Sequence, residues 1–175
     1  GISELVGKEL IMQKILLIGK NGQLGWELQR TLATLGEVVT LDYPEIDLAK
    51  PESLREVIRT ISPQLIINAA AYTNVDKAES EPELAMKVNT ESPGVIAEEA
   101  RRLNAAFIHY STDYVFDGKK GSPYVETDVP NPLNVYGKTK LAGEQLVEVV
   151  GGSYLIFRTS WVYSMRKGGF MTKVL

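Results

Sequence analysis

The sequence contains no cysteine and one histidine, His109, among its 175 residues. The lack of cysteine excludes disulfide frameworks, cysteine–zinc sites and thiol catalysis, and one histidine excludes a multi-histidine metal site within one chain. No apolar run approaches the ~18–20 residues that cross a bilayer. A formal net charge of −3 offers no general attraction to nucleic acid. We therefore expect no metal site, no membrane partner and no nucleic-acid partner.

What is present is the composition of an ordinary globular domain, with 44% hydrophobic and 23% charged residues. A strand-like apolar run begins directly after Met12. Residues 1–11 precede it and are interpreted as a leader or extension, with a partner-binding helix as the alternative. Residues 12–175 are predicted to form one domain.

Short apolar runs alternate with segments of helical period along the chain. Strands are predicted near 14–19, 37–42, 64–69, 105–111 and 153–159, and helices near 25–36, 51–61, 83–103 and 134–150. The third helix contains Pro93-Gly94 and is expected to be kinked or split. This alternation predicts an α/β fold, a Rossmann-like doubly wound parallel sheet with helices on both faces. The long irregular stretch at 112–133 is expected to be functional.

A glycine-rich loop directly follows the first predicted strand. Gly19, Gly22 and Gly25 have the spacing G-x-x-G-x-x-G rather than G-x-G-x-x-G, and Gln23 and Leu24 lie between the last two. Glycine lets backbone amides approach a pyrophosphate, and the start of the following helix favours negative charge. The context predicts a dinucleotide site, with an ordinary tight turn as the alternative.

Acidic and small residues follow the second and third strands. Asp42 is placed to bind the adenosine ribose, which favours NADH, whereas Lys20 could compensate a 2′-phosphate, so the choice between NADH and NADPH stays open. Asp47 and Leu48 are weaker candidates on the adenine side, and Asp47 is also a candidate helix cap. Small or flat residues after the third strand leave room for a cofactor, or simply pack closely: Ala70, Ala71 and Tyr72.

A tyrosine and a lysine are placed four residues apart at the start of the fourth helix. Tyr136 and Lys140 should share one helix face, and a nearby ammonium would lower the tyrosine pKa toward a useful range. Thr112, at the end of the fourth strand, is predicted to complete a catalytic set. His109 lies within that strand and is expected to be a packed structural residue. Trp161 is expected either to wall a substrate pocket or simply to pack.

These motifs together resemble the extended short-chain dehydrogenase/reductases, and among them the dTDP-4-dehydrorhamnose reductase family. The resemblance runs from Met12 to Leu175. It is carried by Ser-Thr-Asp-Tyr-Val-Phe-Asp-Gly at 111–118, Asn-Val-Tyr-Gly-Lys-Thr-Lys-Leu-Ala-Gly-Glu at 134–144 and Phe-Arg-Thr-Ser-Trp-Val-Tyr at 157–163, besides the glycine loop and Asn-Ala-Ala-Ala-Tyr at 68–72. Nucleotide-sugar dehydratases usually carry a glutamate where Tyr114 stands, which favours simple reduction.

The resemblance implies reduction of the C4 ketone of a dTDP-linked 4-dehydro sugar by NADPH or NADH. Tyr136 would donate the proton, Lys140 would lower its pKa and hold the nicotinamide ribose, and Thr112 would polarise the carbonyl. Asp113, Tyr114 and Trp161 would contact the sugar nucleotide. Family members are cytoplasmic enzymes and often homodimers.

One departure is length, because family members are much longer and take part of their substrate site from the C-terminal region. The sequence therefore predicts a chain truncated before that region, which binds cofactor with little turnover. Two alternatives stay open. One is a non-catalytic NADP-binding regulator, such as the regulatory subunit of methionine adenosyltransferase, and the other is a different nucleotide-sugar reductase or epimerase.

Overall fold

Residues 13–163 are described by a computed structural model. The interpretations of residues 1–11 and of the end of the chain therefore lie outside the described residues. Five strands form in chain order, each within one or two residues of its predicted bounds: β1 Gln13–Ile18, β2 Gly36–Leu41, β3 Leu65–Asn68, β4 Ala106–Thr112 and β5 Tyr154–Thr159.

All strand pairs are parallel, and the order across the sheet is β2-β1-β3-β4-β5. The strand order reverses beside β1, so the chain leaves β1 and β3 in opposite directions and opens a crevice at their carboxyl ends. In open α/β sheets this is where ligands bind. The register places Ile18 opposite Asn68 and Asn68 opposite His109, so these three ends are neighbours.

The helices between the strands are α1 Gln23–Leu32, α2 Leu54–Ile61, α3 Val75–Ala78, α4 Pro82–Met86, α5 Ser92–Arg102 and α6 Val135–Val150. Single 3-10 turns cover Pro51–Ser53 and Asp113–Val115. The predicted second and fourth helices are confirmed. The short helix α3 was not predicted, because four residues carry too little periodicity.

The first helix begins earlier and ends earlier than its predicted 25–36. Gly36 is not a helix stop but the first residue of β2, paired with Gln13 of β1. A Cβ at Gly36 would collide with the Gln13 carbonyl oxygen. Glycine at this position allows the two strands to pair closely. The helix ends at Leu32, whose carbonyl accepts a hydrogen bond from the Leu35 amide at 2.8 Å.

The expected interruption of the third helix takes the form of a wide turn. Residues Lys87–Glu91 form a π-helical segment, and the Ser92 amide donates to the Lys87 carbonyl five residues back. Pro93 explains this, because it has no N–H for the carbonyl four residues earlier and its ring would clash with that carbonyl.

Alternate residues of the buried strands supply two hydrophobic layers, one on each face of the sheet. Ile15, Leu17 and Ile67 pack with Leu32 of α1. The opposite layer is larger and contains Leu16, Ile18, Ile66, Phe107, Leu54, Ile58, Val95, Ile96 and Val147, from three central strands and from α2, α5 and α6. Burial on both faces explains the near-continuous apolar strands. Within residues 13–163, no helix is both long enough and apolar enough to traverse a bilayer.

Candidate functional site

A cavity of about 520 Å³ lies at the carboxyl end of the sheet, across the point where the strand order reverses. It is lined by Gly19, Asn21, Gly22, Gln23, Leu24, Asp42, Ala69, Ala70, Ala71, Thr73, Tyr110, Ser111, Tyr136, Lys140, Thr159 and Val162. The cavity therefore joins the glycine loop to the Tyr–Lys pair, which the sequence predicted separately.

The glycine loop has a shape that side chains would prevent. Gly19 has φ +94°, and a Cβ there would lie 2.7 Å from the Ala70 nitrogen. A Cβ at Gly25 would collide with the Gly19 carbonyl oxygen. Gly22 is the N-cap of α1 and provides no side-chain cap for the helix. The positive end of the α1 dipole therefore faces the cavity region without a protein anion in the capping position.

Asp42 lines the cavity as predicted, and its carboxylate is fixed by backbone amides. Oδ2 accepts from the Asn21 amide at 2.9 Å, and Oδ1 accepts from the Tyr43 amide at 2.8 Å. Lys20 is held differently, because its ammonium donates to both carboxylate oxygens of Glu45 at 2.8 and 2.6 Å. The Lys20 hydrogen bond lowers the pKa of Glu45. The positive charge of Lys20, which could compensate a 2′-phosphate, is therefore already paired with the Glu45 carboxylate.

Four predicted cofactor contacts do not line this cavity. Gly25 packs closely against the backbone of the glycine loop, and the other three turn their side chains elsewhere. Asp47 turns its Oδ1 to the Ala49 amide at 3.0 Å, so it closes a local turn and caps no helix. Leu48 packs against the core. The Tyr72 hydroxyl donates to Glu81 at 2.7 Å. In these three cases a hydrogen bond or apolar packing directs the side chain away, and the sequence carried no signal for that direction. Thr73 lines the cavity after β3 together with Ala70 and Ala71.

Tyr136 stands in the first turn of α6, which begins with an Asn134 cap that accepts from the Gly137 amide at 2.7 Å. Its ring packs edge-on against Tyr114, with centroids 5.5 Å apart. Burial raises the pKa of Tyr136, and a hydrogen bond with Thr112 opposes this rise. In this structure burial therefore outweighs any lowering of the Tyr136 pKa by an ammonium.

Lys140 is 1% exposed, and its hydrogen bonds go to β4 instead of to Tyr136. Nζ donates to the Tyr110 carbonyl at 2.7 Å and lies 3.3 Å from Nε2 of His109. Burial lowers the pKa of Lys140 from its ordinary 10.5 to about 8. This is the physical reason why Lys140 does not lower the tyrosine pKa here: the amine is desolvated and turned toward the sheet.

A second cavity of about 400 Å³ lies beside the first and is lined by Asp113, Phe116, Tyr124, Val125, Glu126, Glu144, Ile156, Phe157, Arg158, Thr159 and Ser160. Of the predicted sugar-nucleotide contacts, Asp113 lines it. Tyr114 is half exposed beside Tyr136. Trp161 is 65% exposed and lines neither cavity, so the structure does not show the predicted pocket wall.

The sequence reasoning missed several residues that follow strand ends. Ser111 is buried in the first cavity, and its hydroxyl is the one buried side-chain polar atom among residues 13–163 that lacks a hydrogen-bond partner. Tyr110, Thr159 and Val162 line the same cavity. Their shared signal is their position at or after the carboxyl ends of β4 and β5, where ligand contacts are expected in this fold class.

Asn89 joins the loop after β3, which lines the cavity, to α6. Its Oδ1 accepts from the Tyr72 amide at 2.9 Å, and its Nδ2 donates to the Tyr72 carbonyl at 3.1 Å and to the Thr139 hydroxyl at 3.2 Å. Thr90 adds a hydrogen bond to the Thr139 carbonyl at 2.6 Å. The loop after β3, the π-helical segment and α6 are therefore joined by buried polar contacts.

A parallel sheet with a glycine-rich first loop, and a Tyr-x-x-x-Lys pair facing the same crevice, define a Rossmann-like protein of the short-chain dehydrogenase/reductase type. More narrowly, the chain belongs to the RmlD substrate binding domain family, whose family model matches residues 12–175.

Curated relatives support this membership. The chain is 51% identical over 162 residues to dTDP-4-dehydrorhamnose reductase of Burkholderia thailandensis, covering 93% of this chain and 54% of that protein. It is also 51% identical over 165 residues to the enzyme of that name from Escherichia coli K12, covering 92% and 55%. The chain thus spans about half the length of these curated relatives.

Solved structures agree with the fold. A dTDP-4-dehydrorhamnose reductase from Bacillus anthracis, in complex with NADP, superposes with a TM-score of 0.88 at 36% identity, covering 93% of this chain and 58% of that one. A UDP-glucose 4-epimerase from Thermus thermophilus, in complex with NAD, superposes with a TM-score of 0.78 at 23% identity, covering 90% and 58%. The second likeness shows the fold alone.

Proposed function

We propose that the described domain binds NADPH or NADH and supplies the catalytic residues for reduction of dTDP-4-dehydro-L-rhamnose to dTDP-L-rhamnose. The observation that carries this proposal is the convergence of the glycine loop, Tyr136 and Lys140 on one cavity. The identity of 51% to proteins named dTDP-4-dehydrorhamnose reductase supports this choice of substrate. The alternative, a non-catalytic regulator, is distinguished from a reductase by the experiment described at the end of this subsection.

The residues present fit a dinucleotide. Gly22 leaves the N-terminus of α1 without a side-chain cap, which suits the pyrophosphate. Asp42 holds a carboxylate at the end of β2, where a ribose hydroxyl can donate to it. The buried Ser111 hydroxyl has no protein partner, so a polar ligand in the cavity would satisfy it.

Tyr136 acts as the acid in this proposal. NADPH or NADH, when bound, would supply the hydride for C4 of the sugar, where the π bond of the ketone is broken. The Tyr136 hydroxyl gives its proton to the ketone oxygen, so that an alcohol forms and the oxidised cofactor remains. Thr112, whose hydroxyl donates to Oδ1 of Asp113 at 3.1 Å in this structure, would turn that hydroxyl to the same carbonyl and polarise it.

Both cofactors belong to the proposal, for different reasons. Asp42 places a negative charge in the cavity at the end of β2, while the charge of Lys20 is matched by Glu45. This favours NADH, because a 2′-phosphate would be repelled. The related Bacillus anthracis structure holds NADP. A homodimer, a dTDP-linked substrate and a cytoplasmic location rest on the family resemblance.

Cofactor binding is tested on the chain itself by titration of nicotinamide fluorescence with NADH and NADPH. Because the relatives are about twice as long, turnover is tested in a chimera in which residues 13–163 replace the equivalent part of the Escherichia coli relative. Oxidation of NADH or NADPH with dTDP-4-dehydrorhamnose supports the proposal, and the chimera carrying Tyr136→Phe is the control. Cofactor binding without turnover would favour the regulator and overturn the reductase.

A further inference from the structure

A chain of hydrogen bonds runs from the loop after β3 to Lys140. It begins at the backbone amide of Ala70, which donates to Oδ1 of Asn68 at 3.1 Å. Asn68 and His109 are register partners on β3 and β4, and Nδ2 of Asn68 lies 3.3 Å from Nδ1 of His109. Nε2 of His109 lies 3.3 Å from Nζ of Lys140. Asn68 and His109 are fully buried.

The direction of the first bond fixes the others. A backbone N–H can only donate, so the amide atom of Asn68 that faces Ala70 must be the oxygen. The NH₂ group of Asn68 therefore faces His109 and donates to Nδ1. An imidazole nitrogen that accepts a hydrogen bond carries no proton, and so the single proton of neutral His109 lies on Nε2.

That proton is aimed at Lys140. An ammonium has three donors and no acceptor, so it would face the Nε2–H group donor to donor. An uncharged amine has a lone pair that accepts from Nε2–H, while it still donates to the Tyr110 carbonyl at 2.7 Å. The network is fully satisfied only when Lys140 is uncharged.

We propose that Asn68 and His109 are positioning residues: Asn68 fixes the Nε2–H tautomer of His109, which in turn favours the uncharged amine of Lys140. The consequence for catalysis rests on the proposed reductase function, whereas the tautomer and the charge of the amine do not. The pKa of about 8 for Lys140 and the lowered pKa of His109, both caused first by burial, act in the same direction.

The other charged groups around Lys140 do not reverse this preference. Glu144, one turn along α6, favours the ammonium. Its carboxylate is bound by Arg158 of β5, with Nη2 to Oε2 at 2.6 Å and Nε to Oε1 at 3.0 Å. Tyr136 and Tyr110 keep their protons, because burial raises the pKa of both hydroxyls. The remaining contacts of Lys140 to β4 are the neutral ones described above.

The test uses the fact that the chain has one histidine. Labelling with ¹⁵N-histidine gives a single imidazole, whose nitrogen shifts report the tautomer directly, with neither cofactor nor turnover. The expected result is a proton on Nε2 both below and above the pKa of Lys140. A proton on Nδ1 in the unsubstituted chain would overturn the proposal.

Asn68→Asp reverses the network without removing its first bond. The carboxylate still accepts from Ala70 but can only accept from His109, so the proton moves to Nδ1 and Nε2 becomes an acceptor for the Lys140 ammonium. The pKa of Lys140, read from ¹³Cε-labelled lysine and assigned by loss of the signal in Lys140→Met, should then rise by at least one pH unit. An unchanged pKa of Lys140 together with a moved histidine proton would overturn the coupling.

Asn104→Asp is the matched control, because it adds the same charge at an exposed residue before β4. It should change neither the His109 tautomer nor the pKa of Lys140, and an equal rise in this variant would mean that charge alone is responsible. Cofactor titration of the same proteins separates the two hypotheses, since loss of cofactor binding bears on the proposed function and leaves the tautomer result standing.

Discussion

Replacing the buried Lys140 by methionine should make the fold more stable at neutral pH, although it removes a residue of the proposed catalytic set. On folding, burial lowers the pKa of Lys140 from 10.5 to about 8. At about 1.36 kcal/mol for each pH unit, holding the charged amine costs the fold about 3 kcal/mol. Methionine fills a similar volume without charge. The lost hydrogen bond to the Tyr110 carbonyl offsets about 1 kcal/mol, which leaves a gain of about 2 kcal/mol.

The pH dependence gives this prediction its sign. Below pH 8 the amine is protonated in both the folded and the unfolded chain, so the cost is constant. Between about pH 8 and 10.5 the unfolded chain binds more protons than the folded one, so the free energy of unfolding of the unsubstituted chain rises with pH. The methionine variant has no such rise, and its advantage should disappear across this window.

The assay is urea unfolding of both proteins at a series of pH values from neutral to alkaline. Lys138→Met is the matched control, because Lys138 is exposed on the same helix and should change the free energy of unfolding by less than about 0.5 kcal/mol. A difference between Lys140→Met and the unsubstituted chain that stays constant across the alkaline window would refute the reasoning.

Three further outcomes are expected. Tyr136→Phe should lower turnover of the chimera by about 10²- to 10⁴-fold, because the proton donor is lost, with cofactor affinity unchanged by fluorescence titration. Gly25→Ala should weaken cofactor binding and lower the melting temperature, because its Cβ meets the Gly19 carbonyl oxygen. Hydrogen bonds, first of all from Arg59, lower the pKa of the buried Glu99 to about 2. The resulting stability should be complete above pH 4.5 and lost as pH falls toward 2, and Glu99→Gln should abolish this dependence.

The sheet could be predicted from the sequence because a strand buried on both faces must be apolar at nearly every position. The runs at Lys14–Ile18 and Ala105–Tyr110 meet that condition, and both are strands. The bounds of α6 were predictable for a related reason, since Asn134 can cap a helix and Gly151 can end one. The wide turn at Lys87–Glu91 was not, because Pro93 predicts an interruption without its form.

The residues of the candidate site could be predicted where the backbone path alone places them near the cavity. They were harder to predict where the orientation of a side chain determines whether it faces the cavity. Gly19 and Asp42 are placed by the loop and by the strand end, and both line the cavity. Tyr72 and Asp47 also follow strands in the chain, but their side chains bind local hydrogen-bond partners and do not line the cavity. The contact of Lys140 with His109 joins two residues 31 positions apart, and no local pattern encodes such a contact.

The hydrogen bonds of Asn89 also determine how the cavity can respond to a ligand. One amide group grips the loop that follows β3 and the helix that carries Tyr136, so the distance between these two walls cannot change without breaking several buried hydrogen bonds at once. We therefore expect these two walls of the cavity to move together as one unit. Under the proposed function, a ligand that enters between the glycine loop and these walls meets Tyr136 on a helix that Asn89 already holds to the loop after β3.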